Sequence, residues 1–153
     1  MQDFDARKLR VHYDQLSSAE YLIGFGFRCW LAGYQNNDIS YWGKGWSRFS
    51  DELGSAKAKP IVTDLSFWVQ QIKCCARRKI DCAPIDCKAF CQDECTAVSL
   101  IAASQHKACP ALQACANALL GTDETEDVLN AAERFASTLR RADIYLDGTA
   151  LLH

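Results

Sequence analysis

No apolar run in the chain is long enough to read as a membrane span. The most apolar stretch, residues 20–34, is about 15 residues long and carries Glu20 and Arg28, whereas a spanning helix needs ~20. The first residues, Met1-Gln2-Asp3-Phe4-Asp5-Ala6-Arg7-Lys8, lack the apolar h-region of a secretory signal, and no Asn-x-Ser/Thr acceptor occurs. The expectation is a cytoplasmic protein, bacterial in style, in a compartment that keeps thiols reduced. An excess of one charge is also missing. Lys and Arg number 17 and Asp and Glu 19, a net charge of −2, which excludes a polybasic tail. The familiar catalytic signatures are absent: no Walker loop, His-Glu-x2-His, Gly-x-Ser-x-Gly, Cys-x2-Cys-His or Glu-x2-His occurs. Gly24-Phe25-Gly26-Phe27 is half of a dinucleotide fingerprint, but it lies in a helical stretch with no strand before it. Alternating β-branched runs are missing, and only 3 prolines interrupt the chain.

Helix signals fill the space that strand signals leave. Ser17 followed by Glu20 is a capping box opening a helix over 18–34, apolar almost all round, with Gly24, Gly26 and Gly33 marking close approach of neighbours. Such a helix is central or lies at an oligomer interface, which makes a homodimer reasonable. Asn37 or Asp38 caps a second helix over 39–53 with a seam of Ile39, Trp42, Trp46, Phe49 and Leu53, stopped by Gly54. Pro60 sits in the first turn of a third, with core positions Ile61, Leu65, Trp68, Val69 and Ile72. Pro84 opens a fourth helix running to about Lys107, and Pro110 a short fifth that ends at Gly121. A sixth covers 124–146 and buries Val128, Leu129, Ala132, Phe135, Ala136 and Leu139. The pattern predicts an all-α, single-domain bundle of five or six helices. Residues 1–16 read as an N-terminal extension, 17–146 as the helical domain and 147–153 as a flexible tail.

The unusual feature is 9 cysteines, all but Cys29 falling between Cys74 and Cys115. On the fourth predicted helix Cys87, Cys91 and Cys95 recur every four residues, which places them on one face. At ~1.5 Å rise per residue Cys87 and Cys95 stand ~12 Å apart, too far to share one ion. One adjacent pair with Cys109 and His106 is a candidate zinc site. Thiolate pairs also suit Cu(I), and three or four thiolates suit an iron–sulfur cluster. The Cys-x3-Cys run resembles the cysteine-lined four-helix bundles that store Cu(I), which are far denser in cysteine. The same cysteines, set among many alanines, also read as a seam of small side chains between close helices.

Two thiols are redox candidates. Cys109 before Pro110 reads as a helix N-cap, where the dipole favours thiolate, with His106 three residues back; Cys82 stands similarly before Pro84. The run Lys73, Arg77, Arg78, Lys79, with Lys88 nearby, reads as a solvated helix end, so nucleic acid is not expected as a partner. Phe25, Trp30, Trp42 and Trp46 are candidate interface residues, because aromatics concentrate at binding hot spots. The expected function is a non-enzymatic structural or partner-binding module. The alternatives are a thiolate metal protein and a thiol redox sensor.

Overall fold

The computed structural model describes residues 4–147. Ser17 starts the first helix as its sequence predicts. Its hydroxyl accepts from Glu20 N and the Glu20 carboxylate accepts from Ser17 N, both at 3.1 Å. The helix that follows, α1 (Ser18–Asn36), is buried from Leu22 to Gly33 and packs on most of its circumference. Its own chain covers it. Helix α2 (Ser40–Leu53), α3 (Ser55–Cys75) and α4 (Gln92–Gln105) all pack against it. The argument for a dimer from an uncovered α1 therefore falls away.

The glycines of α1 explain how the neighbours come so close. A β-carbon on Gly24 would overlap the Phe90 ring, and one on Gly33 would overlap the Trp42 indole. Each glycine weakens a helix by up to ~1 kcal/mol relative to alanine. Fully burying the Phe90 ring contributes about 1.5–3 kcal/mol, so at Gly24 the exchange favours the packed state.

Helices α3 and α6 (Glu126–Arg141) form the most extensive helix pair, with Ile61, Leu65, Trp68, Val69 and Ile72 meeting Val128, Ala132, Phe135 and Leu139, all fully buried. Helix α5 (Cys109–Leu120) packs mainly on α4 and stops at Gly121, whose φ of 68° is left-handed. The fold class is all-α with six α-helices among the described residues.

Four expectations need correction. Pro60 does not open α3, which begins at Ser55 directly after the Gly54 turn. Helix α6 ends at Arg141, because Asp143 adopts a left-handed φ of 58° and the Asp143 and Ile144 amides bond back to Arg140 O and Leu139 O. The predicted tail from 147 onward lies outside the described residues apart from Asp147. In α2 the seam is rotated: Gly45 and Phe49 are buried and Trp42 half-buried, while Ile39 is 75% and Trp46 37% exposed. Glycine does not register in an apolar pattern, yet Gly45 lies on the inner face against Trp30.

The fourth correction matters most for function. Pro84 opens no helix. Helix α4 begins at Gln92, and residues 76–88 form an irregular segment ending in a short strand, β2 (Ala89–Cys91). This pairs antiparallel with β1 (Leu9–His12), flanked by 3-10 turns at Ala6–Lys8 and Tyr13–Gln15. Residues read as an extension thus pack onto the helical body, with Val11 buried.

Candidate functional site

The irregular segment is organised by one buried ion pair. Arg28 of α1 and Glu94 of α4 are both fully buried, joined by Arg28 Nε to Glu94 Oε2 at 2.6 Å and Nη2 to Oε1 at 3.0 Å. Arg28 spends its remaining donors on Tyr13 Oη (2.7 Å), Cys87 O (2.8 Å) and Ala89 O (2.7 Å), so all five N–H groups are engaged. Glu94 also accepts from Cys91 N (2.9 Å) and Ala83 N (3.2 Å). The Phe90 ring lies under the guanidinium, 5.2 Å from its centre. Burial works against the charge of Arg28, but the Glu94 carboxylate outweighs it, and the guanidinium pKa is raised. This is why 81–91 is not helical. Several of its backbone groups bond to Arg28, Glu94 and Asp93, beside a turn from Cys87 N to Pro84 O and the pairing of β2 with β1.

The ordered segment forms one wall of a groove of about 800 Å³. The opposite wall is α2, through Ser40, Gly43, Lys44, Ser47, Arg48 and Asp51, and the floor is Tyr13, Tyr21 and Phe25. Arg48 is held in place. Its Nη1 donates to Tyr21 Oη at 2.7 Å, and its guanidinium lies 5.3 Å and 5.1 Å from the Tyr21 and Phe25 ring centres. A weak pair with Glu52 spans 3.9 Å. Lys88, with Asp86 and Cys87, lines the loop wall, fixed by a bond from Tyr13 N to Lys88 O at 2.9 Å. Nothing lies within 4 Å of where a Gly43 β-carbon would be, so the α2 wall is open at its middle. Burial pushes the Tyr13 hydroxyl up to about 12, against the opposing pull of Arg28, so it stays protonated at neutral pH.

The cysteines do not converge as their spacing suggests. Cys87 lies outside any helix, half-buried beside the groove, Cys91 caps α4, and Cys95 is buried in its first turn, so the three do not share a helix face. Cys109 is the exposed first residue of α5 rather than its cap, which is Ala108. His106 ends α4 and pairs with Leu146 O at 2.8 Å. Among the described residues no group of three or more His, Cys, Asp or Glu side chains is arranged to hold a metal ion. Cys82 sits 3.7 Å from Gln35 Oε1, and burial pushes its thiol, like those of Cys29 and Cys95, up to about 12. The Cys91 thiol is raised too, first by burial and then by the Glu94 charge. Protonated thiols are poor nucleophiles, so burial works against redox chemistry at Cys82.

Of the interface candidates, Phe25 reaches the groove floor. Trp30 is buried, Trp42 stacks on it and donates to Trp30 O at 3.2 Å, and only Trp46 is exposed. The basic run is partly spent on ion pairs: Arg78 with Asp93 at 2.9 Å and Arg77 with Glu124 at 3.6 Å. The sequence reading missed the Arg28–Glu94 pair and Arg48. The available signal was Arg28 itself, a charge inside an apolar helix, which requires a buried partner. Nothing in the sequence identified Glu94, 66 residues away, as that partner.

No protein-family model, curated protein or solved structure matches the chain. No helix among the described residues is long and apolar enough to cross a membrane.

Proposed function

We propose that the protein is a non-enzymatic helical module of the cytoplasm that binds a partner protein in the groove between α2 and the 85–88 loop. The observation that carries this is the construction of the groove. Its loop wall is held by a fully hydrogen-bonded buried arginine, and its floor is three aromatic rings, two of them, Tyr21 and Phe25, in contact with the Arg48 guanidinium. Preorganised aromatic and arginine side chains in a concavity are the composition of a binding hot spot.

The open position at Gly43 provides the test. Gly43→Trp fills the groove from an unobstructed helix surface and leaves the core untouched. Tagged wild type and Gly43→Trp, expressed in the native cells, are compared by isotope-quantified affinity purification after both are shown to melt alike. A protein enriched on the wild type and lost on Gly43→Trp is the expected result. An interaction profile indifferent to Gly43→Trp overturns the assignment.

A further inference from the structure

Resting on that partner-binding reading, the geometry points to the chemistry of the occupant: an extended acidic segment, with one carboxylate seated between Lys44 and Arg48 and a neighbouring apolar side chain against Tyr13 and Ile85.

The two cations lie four residues apart on α2, hence on one helix face, where like charges repel by a few tenths of a kcal/mol. The 3.9 Å pair with Glu52 offsets this only weakly for Arg48; among the described residues Lys44 forms no ion pair and lies 6.0 Å from the Tyr41 ring centre. Among the described residues Arg48 makes one hydrogen bond, to Tyr21 Oη, so its guanidinium keeps N–H donors for a planar oxyanion. Cation–π contacts with Tyr21 and Phe25 and the bond to Tyr21 Oη hold the guanidinium, which reduces the ordering cost of a bidentate contact. Lys88 on the facing loop adds a third cation. Asp51 and Asp86 also line the groove and Glu52 stands beside Arg48, so the cations free of an ion pair on its walls are Lys44 and Lys88 among the described residues. Asp51 lies toward the C-terminal end of α2 beyond Arg48, about two turns from Lys44. From Ser40 to Asp51 the α2 wall runs about 16 Å, which matches about five residues of extended chain. Apolar surface at Tyr13 and Ile85 faces this path, with both side chains only partly buried.

The test is a titration of ¹⁵N-labelled protein with acetyl-Ala-Phe-Glu-Glu-Ala-amide and with its Gln-Gln isostere, followed by amide shifts. The acidic peptide is expected to move Gly43, Lys44, Ser47, Arg48, Cys87 and Lys88 saturably. The isostere is expected to bind about tenfold more weakly or worse. Raising salt from ~50 to ~500 mM should weaken the acidic peptide. Arg48→Met should abolish the difference between the peptides, and Arg134→Met, outside the groove, should leave it. Equal affinity for the two peptides, shifts centred elsewhere, or no shifts at millimolar peptide would overturn the inference. If the peptide fails while Gly43→Trp still removes a partner, the occupant's chemistry is wrong and the binding face stands. If Gly43→Trp changes nothing, both fall.

Discussion

Replacing Glu94 by glutamine removes one charge and changes almost no volume, yet the structure makes it one of the most damaging substitutions available. Glu94 accepts four hydrogen bonds, two from Arg28 and one each from Cys91 N and Ala83 N, with no exposed surface on either charged partner. The variant leaves Arg28 charged, buried and uncompensated, and it turns an amide N–H toward groups that are themselves donors. Breaking one side of a buried pair costs about 3–5 kcal/mol. Against a typical stability of about 5–15 kcal/mol this is a large fraction. At roughly 2–4 °C per kcal/mol for a domain of this size, Tm falls by roughly 6–20 °C. The internal control is Glu133→Gln, which breaks a 3.9 Å pair with Lys107 between side chains 55% and 73% exposed. That substitution is expected to cost under about 1 kcal/mol. Urea unfolding followed by tryptophan fluorescence measures both. The reasoning also places the damage: amide hydrogen exchange should accelerate first across 81–91, the segment that Arg28 and Glu94 hold. A Glu94→Gln cost no larger than that of Glu133→Gln would refute it.

Three further outcomes follow from the packing. Gly24→Ala should destabilise by about 1–3 kcal/mol because its β-carbon meets the Phe90 ring, whereas Gly43→Ala should stabilise by about 0.5–1 kcal/mol, and chemical denaturation that ranked the two alike would contradict the account. The thiols of Cys29, Cys82 and Cys95 are raised by burial to about 12 in the folded state, so the unfolded chain releases those protons first. Stability should therefore be fully present below the ordinary thiol range near pH ~8.5 and be lost as pH rises from there toward about 12, visible as a falling urea midpoint between neutral pH and pH ~10. Since α1 is covered by its own chain, light scattering should give the monomer mass of 17.1 kDa, and a stable dimer mass would point to the exposed Ile39–Trp46 face of α2.

What the sequence revealed and what it concealed divide along one physical line. Signals that act within a few residues were legible. Ser17 and Glu20 mark the start of α1, Gly121 marks the end of α5, and the inward faces of α3 and α6 follow from apolar spacing alone. The segment 84–91 was misread because its local signals, Pro84 and cysteines every four residues, are compatible with a helix. Bonds from Arg28, more than fifty residues earlier, decide otherwise. The cysteines are dense in sequence, but among the described residues they do not gather into a group of three or more candidate ligands. The groove was hidden for a related reason. It joins Tyr13, α1, α2 and the 85–88 loop, and none of these carries a recognisable motif.

The proposed role of the groove is to seat a partner protein. A photo-crosslinking residue placed at Ser47, on the α2 wall, and separately at Thr63, on the exposed side of α3, tests it in the native cells. The account predicts a discrete adduct of one mass from position 47, absent from position 63 and abolished by Gly43→Trp. No adduct at 47, or equal adducts from both positions, would contradict it.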